Sequence, residues 1–394
     1  MKHVILVGDG MGDYPVKALD GRTPLQAARM PACRRLAAAG RVVMMRTVAD
    51  GFAPGSDVAN LGLLGYDARD SYTGRAPIEA AGAGIAMAPD DVAFRCNLVT
   101  LRDGVMADYS AGHITTEEAH AIMDALNRAL GRDGFRFHGG VSYRHLLVWK
   151  GGPADLLTEP PHEISDEPVA GHLPRGGRAA EVVAVMEAAR GELADHPVNR
   201  ARRAAGRPEG TDIWLWGQGP AMALAPFASR FGLRGGVVSA VDLVRGLGIL
   251  AGLEAPRVPG ATGFLDTNTQ GKVDAATDIL SRGDFAYVHL EAPDECGHLG
   301  DAARKVEAIE MFDARIVAPV WEWLEARGEP YRLAVTMDHR TPVSLKGHTA
   351  EPVPMILVDG PTGKVDAEAP FDEFVHDGHA DAYSFDLIRD WLSG

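Results

Sequence analysis

The chain has 394 residues, 46% hydrophobic and 24% charged, and its 54 acidic and 39 basic side chains leave a formal charge of −15. These are ordinary globular proportions, enough for a sizeable core, and they exclude a fibrous or disordered chain. The acidic balance argues against a nucleic-acid partner, which would need a basic footprint, and against general attraction to anionic membranes.

Length alone suggests two or three folding units. Cys33, Cys96 and Cys296 are odd in number and far apart, so they form neither a disulfide framework nor a Cys-x-x-Cys knuckle, as expected in a reducing compartment. The first apolar run, Val4 to Val7, is too short for a signal-peptide core, and no stretch approaches the ~20 apolar residues that span a bilayer. The expectation is a cytoplasmic protein.

In chain order, Val4 to Val7 reads as a strand buried on both faces of a parallel sheet. Thr23-Pro24 and Pro31 mark helix starts, and Gly40 stands where a C-terminal cap belongs. Thr115 and Glu118 are spaced as a capping box for a helix over 115–131, with Ala119, Ile122, Met123, Leu126 and Leu130 on one face. A strand is predicted over Val141–Trp149, long loops over the Pro-, Gly- and His-rich 151–178, and a strand from Asp212 ending in Gly217-Gln218-Gly219. Further strands follow at 285–291, 332–337 and 353–358. Between the first two lies a helix from Asp301 that carries Val306, Ile309, Phe312 and Ile316 and is kinked at Pro319. Strands alternating with helices at both ends predict an α/β class with a doubly wound sheet. The different texture of the middle predicts an inserted segment, 90–235, splitting the core into 1–89 and 236–394.

Four segments place reactive groups just past predicted strands, the edge where open α/β sheets bind ligands. Gly8-Asp9-Gly10-Met11-Gly12-Asp13 is a glycine-rich turn without the spacing of a dinucleotide site or a P-loop. In Pro54-Gly55-Ser56-Asp57-Val58-Ala59-Asn60, Ser56 or Asp57 could simply cap a helix. A hydroxyl there would also sit in a field that favours an alkoxide or an attached phosphate. In Glu291-Ala-Pro-Asp294-Glu295-Cys-Gly-His298 the four-residue spacing puts Asp294 and His298 on one side of a helical turn, as a metal would need. The last is Asp338-His339-Arg340-Thr341-Pro342 with Lys346-Gly347-His348; a buried acid and base there require partners.

Together Asp9, Asp294, Asp338, His298, His339, His348 and Ser56 exceed what one tetrahedral zinc uses and match the inventory of two divalent cations. Such a pair activates a serine hydroxyl and neutralises a phosphoryl group. His3 and His196 fit no such arrangement and are read as surface residues. The global charge does not forbid an anionic substrate, because cations held in the site dominate locally.

At these residues, and at Tyr72-Thr73-Gly74-Arg75, Phe94-Arg95-Cys96-Asn97-Leu98, Ala111-Gly112-His113-Ile114 and Ala292-Pro293-Asp294-Glu295, the sequence resembles the alkaline-phosphatase superfamily. Within it, the likeness is to the cofactor-independent phosphoglycerate mutases of the archaeal type. The resemblance covers essentially the whole chain. It implies an alkaline-phosphatase-like core with a smaller inserted α+β domain that binds substrate and closes as a lid. One metal would be held by Asp294, His298 and His348, the other by Asp9, Asp338, His339 and the Ser56 oxygen. Manganese or magnesium is the implied metal, with zinc an alternative.

The resemblance also makes Ser56 the nucleophile that carries the phosphoryl group between the 3- and 2-positions of phosphoglycerate. His113, Arg144, Arg75 and Arg245 become substrate-binding residues. The implied partner is a small phosphorylated anion, with no nucleic acid, no membrane and a monomeric chain. Gly217-Gln218-Gly219 after Trp214-Leu-Trp216 also resembles a branch proposed to phosphorylate homoserine. That reaction and simple phosphomonoester hydrolysis are therefore the alternatives.

Overall fold

Val4 to Val7 are completely buried, and the computed structural model, which describes residues 1–394, places them mid-sheet. The strands are β1 (Lys2–Gly8), β2 (Arg41–Arg46), β3 (Asp91–Arg102), β4 (Val105–Asp108), β5 (Phe135–His138), β6 (Arg144–Lys150), β7 (Asp212–Pro220), β8 (Gly235–Val238), β9 (Phe285–Leu290), β10 (Tyr331–Thr336), β11 (Val353–Gly360) and β12 (Ala382–Tyr383). One sheet has the order β12-β2-β11-β10-β1-β9-β8. Strands β10, β1, β9 and β8 pair in parallel, and β11 is antiparallel to both its neighbours. With two parallel partners and an all-apolar interior, β1 is the central strand its sequence implies. The α/β class follows.

The chain forms two compact units, Met1–Tyr72 with Leu224–Gly394, and Thr73–Ala223. The inserted segment thus begins and ends earlier than 90–235. The helix Arg75–Gly82 packs on β3 and β7 of the insert, while β8 pairs with β9 of the large sheet. The insert has its own antiparallel sheet, β4-β3-β6-β5 with β7 also on β3. Against it packs a core including Ile122, Met123, Leu126 and Trp214. The Thr115–Glu118 capping box forms as its spacing predicts. Two helices of the insert, Ala179–Leu193 and Pro197–Ala204, escape the periodicity argument. In the first, only Val182, Met186, Ala189 and Leu193 are buried, and exposed alanines beside them blur the apolar stripe. Strand β6 begins at Arg144 rather than Val141, because Ser142 turns the chain through a left-handed φ of 54°.

Near Pro319 the helix Ala302–Phe312 opens into a π-turn, Asp313–Val317, before continuing as Ala318–Arg327. Proline has no N–H for the regular ladder, so the widened turn absorbs the mismatch in place of a simple kink. His3 is buried, edge-on to Trp391 at 5.7 Å, and not at the surface. His196 caps the helix Pro197–Ala204 by accepting from the Val198 N–H. No helix is long and apolar enough to cross a membrane.

A buried ion network fixes the turn after β1. Lys305 Nζ donates to Asp13 Oδ2 (2.9 Å), Gly12 O (2.8 Å) and Thr341 O (2.8 Å). Glu373 accepts from the Asp13 N–H (2.9 Å) and the Thr23 hydroxyl (2.9 Å). Burial pushes the Glu373 carboxyl up to about 7, against the pull of these donors. Because the folded value lies above the unfolded one, the stability it lends is complete below about pH 4.5 and lost as pH rises through 7, a change of roughly 3 kcal/mol. Glu373→Gln should therefore narrow the gap between the thermal midpoints of metal-free protein at about pH 5 and about pH 8. An unchanged gap contradicts the assignment.

Candidate metal centre and nucleophile

Three adjacent parallel strands, β10, β1 and β9, deliver the reactive residues at their C-terminal ends, the usual ligand edge of such sheets. Asp9 follows β1 directly, Glu291 follows β9, and Asp338-His339 lie just past β10. Asp294 and His298 stand one turn apart on the helix Ala292–Leu299, with His298 Nε2 3.1 Å from Asp294 Oδ2. Gly10 lies at φ 60°, and a Cβ there would collide with Asp294 and Thr341, so only glycine lets these loops close together.

Ser56 is the first residue of the helix Ser56–Leu63, and Gly55 occupies the N-cap without a side-chain bond. The simple capping role for Ser56 or Asp57 is thus not realised. Asp57 accepts from the Val58 N–H and the Tyr72 hydroxyl, and the Ser56 hydroxyl points instead at His339 Nε2, 3.0 Å away.

His339 Nε2 also lies 3.4 Å from Asp338 Oδ2 and 3.5 Å from Asp9 Oδ1. His348 Nε2 lies 3.5 Å from Asp294 Oδ1 and 3.0 Å from His298 Nε2. The ligand-bearing atoms fall into groups that could each hold a metal ion: Asp9, Asp338 and His339; Asp294, His339 and His348; and Asp9, His289 and Glu291. All seven residues singled out in the sequence therefore converge.

The donors fit divalent cations. Asp9 Oδ1 is buried without a hydrogen-bond partner. Burial, and then the charges of Asp338, Asp294 and Glu291, hold the Asp9 carboxyl well above the usual carboxylate range. Carboxylates this close cannot all ionise without a counter-charge. Two imidazole Nε2 atoms facing each other at 3.0 Å likewise suit a common cation better than each other. His298 Nδ1 donates to the Lys346 carbonyl (2.9 Å), which leaves the Nε2 lone pair for a metal. Lys346 holds a left-handed φ of 55° to aim that carbonyl. Mixed carboxylate, imidazole and hydroxyl donors accept manganese, magnesium or zinc.

Of the residues expected to bind substrate, His113 and Arg144 are exposed in the insert and flank Tyr143: the His113 ring centroid is 6.4 Å away and the Arg144 guanidinium 5.5 Å. Arg75 pairs with Glu79 (3.0 Å), which also holds Arg95, itself stacked over Trp216. Arg245 is buried, bound to Asp242 (2.7 Å) and the Ala255 carbonyl (2.9 Å). Gln218 bonds to Thr158 Oγ1 and the Leu156 carbonyl, so it secures the 151–178 loops.

Fold and site define the class: an α/β enzyme with a serine hydroxyl set in a cluster of buried carboxylates and imidazoles, suited to cations, at the ends of parallel strands. Residues 37–199 match the family model of 2,3-bisphosphoglycerate-independent phosphoglycerate mutase. The chain is 48% identical over 396 residues to the protein of that name from Methanothrix thermoacetophila, covering 100% of both chains. Its fold is similar to the cofactor-independent phosphoglycerate mutase of Thermoplasma acidophilum (TM-score 0.64, 31% identity, 100% of both chains). It is also similar to a protein from Pyrococcus horikoshii (TM-score 0.80, 28% identity, 99% of this chain and 97% of that one). The chain belongs to the 2,3-bisphosphoglycerate-independent phosphoglycerate mutase family.

Sequence reasoning did not find the residues that brace the ligands. Asn60 donates to Asp338 Oδ2 (2.8 Å) and to the Ser56 carbonyl (2.8 Å) while accepting a short hydrogen bond from the Tyr287 hydroxyl. The fully buried His289 stands between Ser239 Oγ (3.3 Å) and Asp9 Oδ2 (3.0 Å). Burial lowers His289 to about 4, so it stays neutral. The one legible signal was the pair of polar side chains, Tyr287 and His289, in the otherwise apolar strand β9. Asn60→Leu would leave buried Tyr287 and Asp338 each short of a partner. It should cost about 2–4 kcal/mol in denaturant unfolding and weaken metal binding about tenfold or more in chelator competition.

Proposed function

We propose that this chain interconverts 3- and 2-phosphoglycerate through a phosphoserine at Ser56, without added bisphosphoglycerate. The observation that carries the reading is the Ser56 hydroxyl, set at a helix N-terminus inside a cluster of three carboxylates and three imidazoles, in a chain that matches relatives of this name along its full length. In the proposed reaction, Ser56 Oγ loses its proton and attacks the phosphorus of 3-phosphoglycerate; the bond from phosphorus to the C3 oxygen breaks, and that oxygen takes up a proton, leaving phosphoserine and glycerate. Glycerate turns in place, and its C2 hydroxyl takes the phosphoryl group back from Ser56. Two divalent cations, manganese or magnesium by preference, would acidify the Ser56 hydroxyl and neutralise phosphoryl charge when bound.

Asp9, Asp338 and His339 are assigned with the Ser56 oxygen to one cation, and Asp294, His298 and His348 to the other. Ser56 opens its helix, and the partial positive charge of a helix N-terminus favours a transferred phosphate there. Arg75 and Arg144 are assigned to substrate anions, for which the planar guanidinium donates two bonds at once. Hydrolysis of phosphoserine competes with transfer, so glycerate must stay while water is kept out.

Purified protein loaded with manganese should turn 3- into 2-phosphoglycerate in phosphorus NMR. A chelator should abolish the conversion and renewed manganese restore it. Ser56→Ala should lower the rate by more than about a thousandfold while still binding metal. No conversion with saturating manganese overturns the mutase reading. Rapid release of inorganic phosphate would make the chain a hydrolase, and phosphorylation of homoserine from a donor would favour the alternative branch.

A further inference from the structure

Thr341 belongs to none of the metal-ligand groups, yet it touches two of them. It is fully buried and lies between Gly10 and Gly297, at either of which a Cβ would collide with it. Its backbone is pinned as well: the N–H donates to the Gly12 carbonyl (3.1 Å), and the carbonyl accepts from Lys305 Nζ (2.8 Å). The side-chain hydroxyl makes a short hydrogen bond with Asp294 Oδ1 and lies 3.2 Å from His339 Nδ1.

A hydroxyl carries a single proton, and an ionised carboxylate only accepts. Thr341 therefore donates to Asp294, and the proton of its second contact has to come from His339 Nδ1. A neutral imidazole with Nδ1 protonated keeps its lone pair on Nε2. That atom faces Ser56 Oγ at 3.0 Å, Asp338 Oδ2 at 3.4 Å and Asp9 Oδ1 at 3.5 Å. His298 receives the equivalent lock from the Lys346 carbonyl, whereas His339 has only a side-chain hydroxyl for it.

We propose that Thr341 is a positioning residue that couples the two ligand groups. By accepting from His339 and donating to Asp294, it fixes the His339 tautomer and ties the ring's orientation to the Asp294 carboxylate. The inference rests on the reading of these residues as cation ligands, but not on the reaction assigned to them.

The test uses metal-free protein labelled with 15N-histidine, the His339 signal being the one lost in His339→Gln. In the native chain, Nδ1 of His339 should carry the proton and Nε2 should not. Thr341→Val keeps the volume and removes the hydroxyl. It should mix the tautomers and weaken manganese binding about 10- to 100-fold in chelator competition, while Thr341→Ser should stay within about threefold of the native affinity. Protonation of His339 at Nε2 in the native chain overturns the proposal, as does a Thr341→Val chain that binds manganese as tightly as the native one. If Thr341→Val fails to fold, the native tautomer and the Thr341→Ser affinity decide the matter. Neither measurement uses turnover. A chain that shows both effects but no mutase activity would keep this inference and lose the proposed function.

Discussion

The constraint on which the rest of this structure depends is electrostatic. Asp9, Asp294 and Asp338 are almost completely removed from solvent at the ends of three neighbouring strands, with Glu291 beside them. Charges of one sign gathered in a low-dielectric setting repel strongly, and burial penalises each of them further. Without cations, that strain falls most heavily on Asp9, whose carboxyl is driven toward its protonated form. Divalent cations would reverse the balance, converting the same crowding into affinity.

Much of the surrounding architecture compensates for this crowding. Asp338 accepts from the Gly10 and His339 backbone N–H groups (both 3.0 Å) and from Asn60. Lys305, fully buried, sits behind the Asp9 turn with its ammonium on Asp13 and two carbonyls. Lys272, also fully buried, donates to the His289 carbonyl (2.7 Å), and burial lowers it to about 8 despite the opposing charge of Glu291. Buried lysines are tolerated only where carboxylates and carbonyls repay their lost hydration. Their presence here measures how much negative charge the core unit has gathered at this edge.

The insert obeys a different logic. Its sheet is antiparallel, its core is aromatic and aliphatic, and its charges pair locally, as in Arg95 with Glu79 over Trp216. Glu79 holds Arg75 as well (3.0 Å), so one carboxylate bridges two guanidinium groups within the insert. The unit boundaries fall where packing changes partners. The helix Arg75–Gly82 rests on β3 and β7, so the insert claims it although it precedes β3 in the chain.

The sequence by itself determined the central strand, the α/β class and the residues that converge at the strand ends. Those features are local: an aliphatic run, a helical spacing of four between Asp294 and His298, a glycine-rich turn after a strand. Tertiary structure alone decided which groups brace the ligands. Asn60, Tyr287, His289, Lys305 and Thr341 meet partners tens to hundreds of residues away, and apart from the polar Tyr287 and His289 in an apolar strand, each looks like an ordinary helix or loop residue in the sequence. It also decided that Ser56 opens its helix without capping it, that the insert begins before β3, and that Pro319 follows a π-turn. Such outcomes depend on which distant backbone groups need partners once the chain has closed, a condition that no run of neighbouring residues carries.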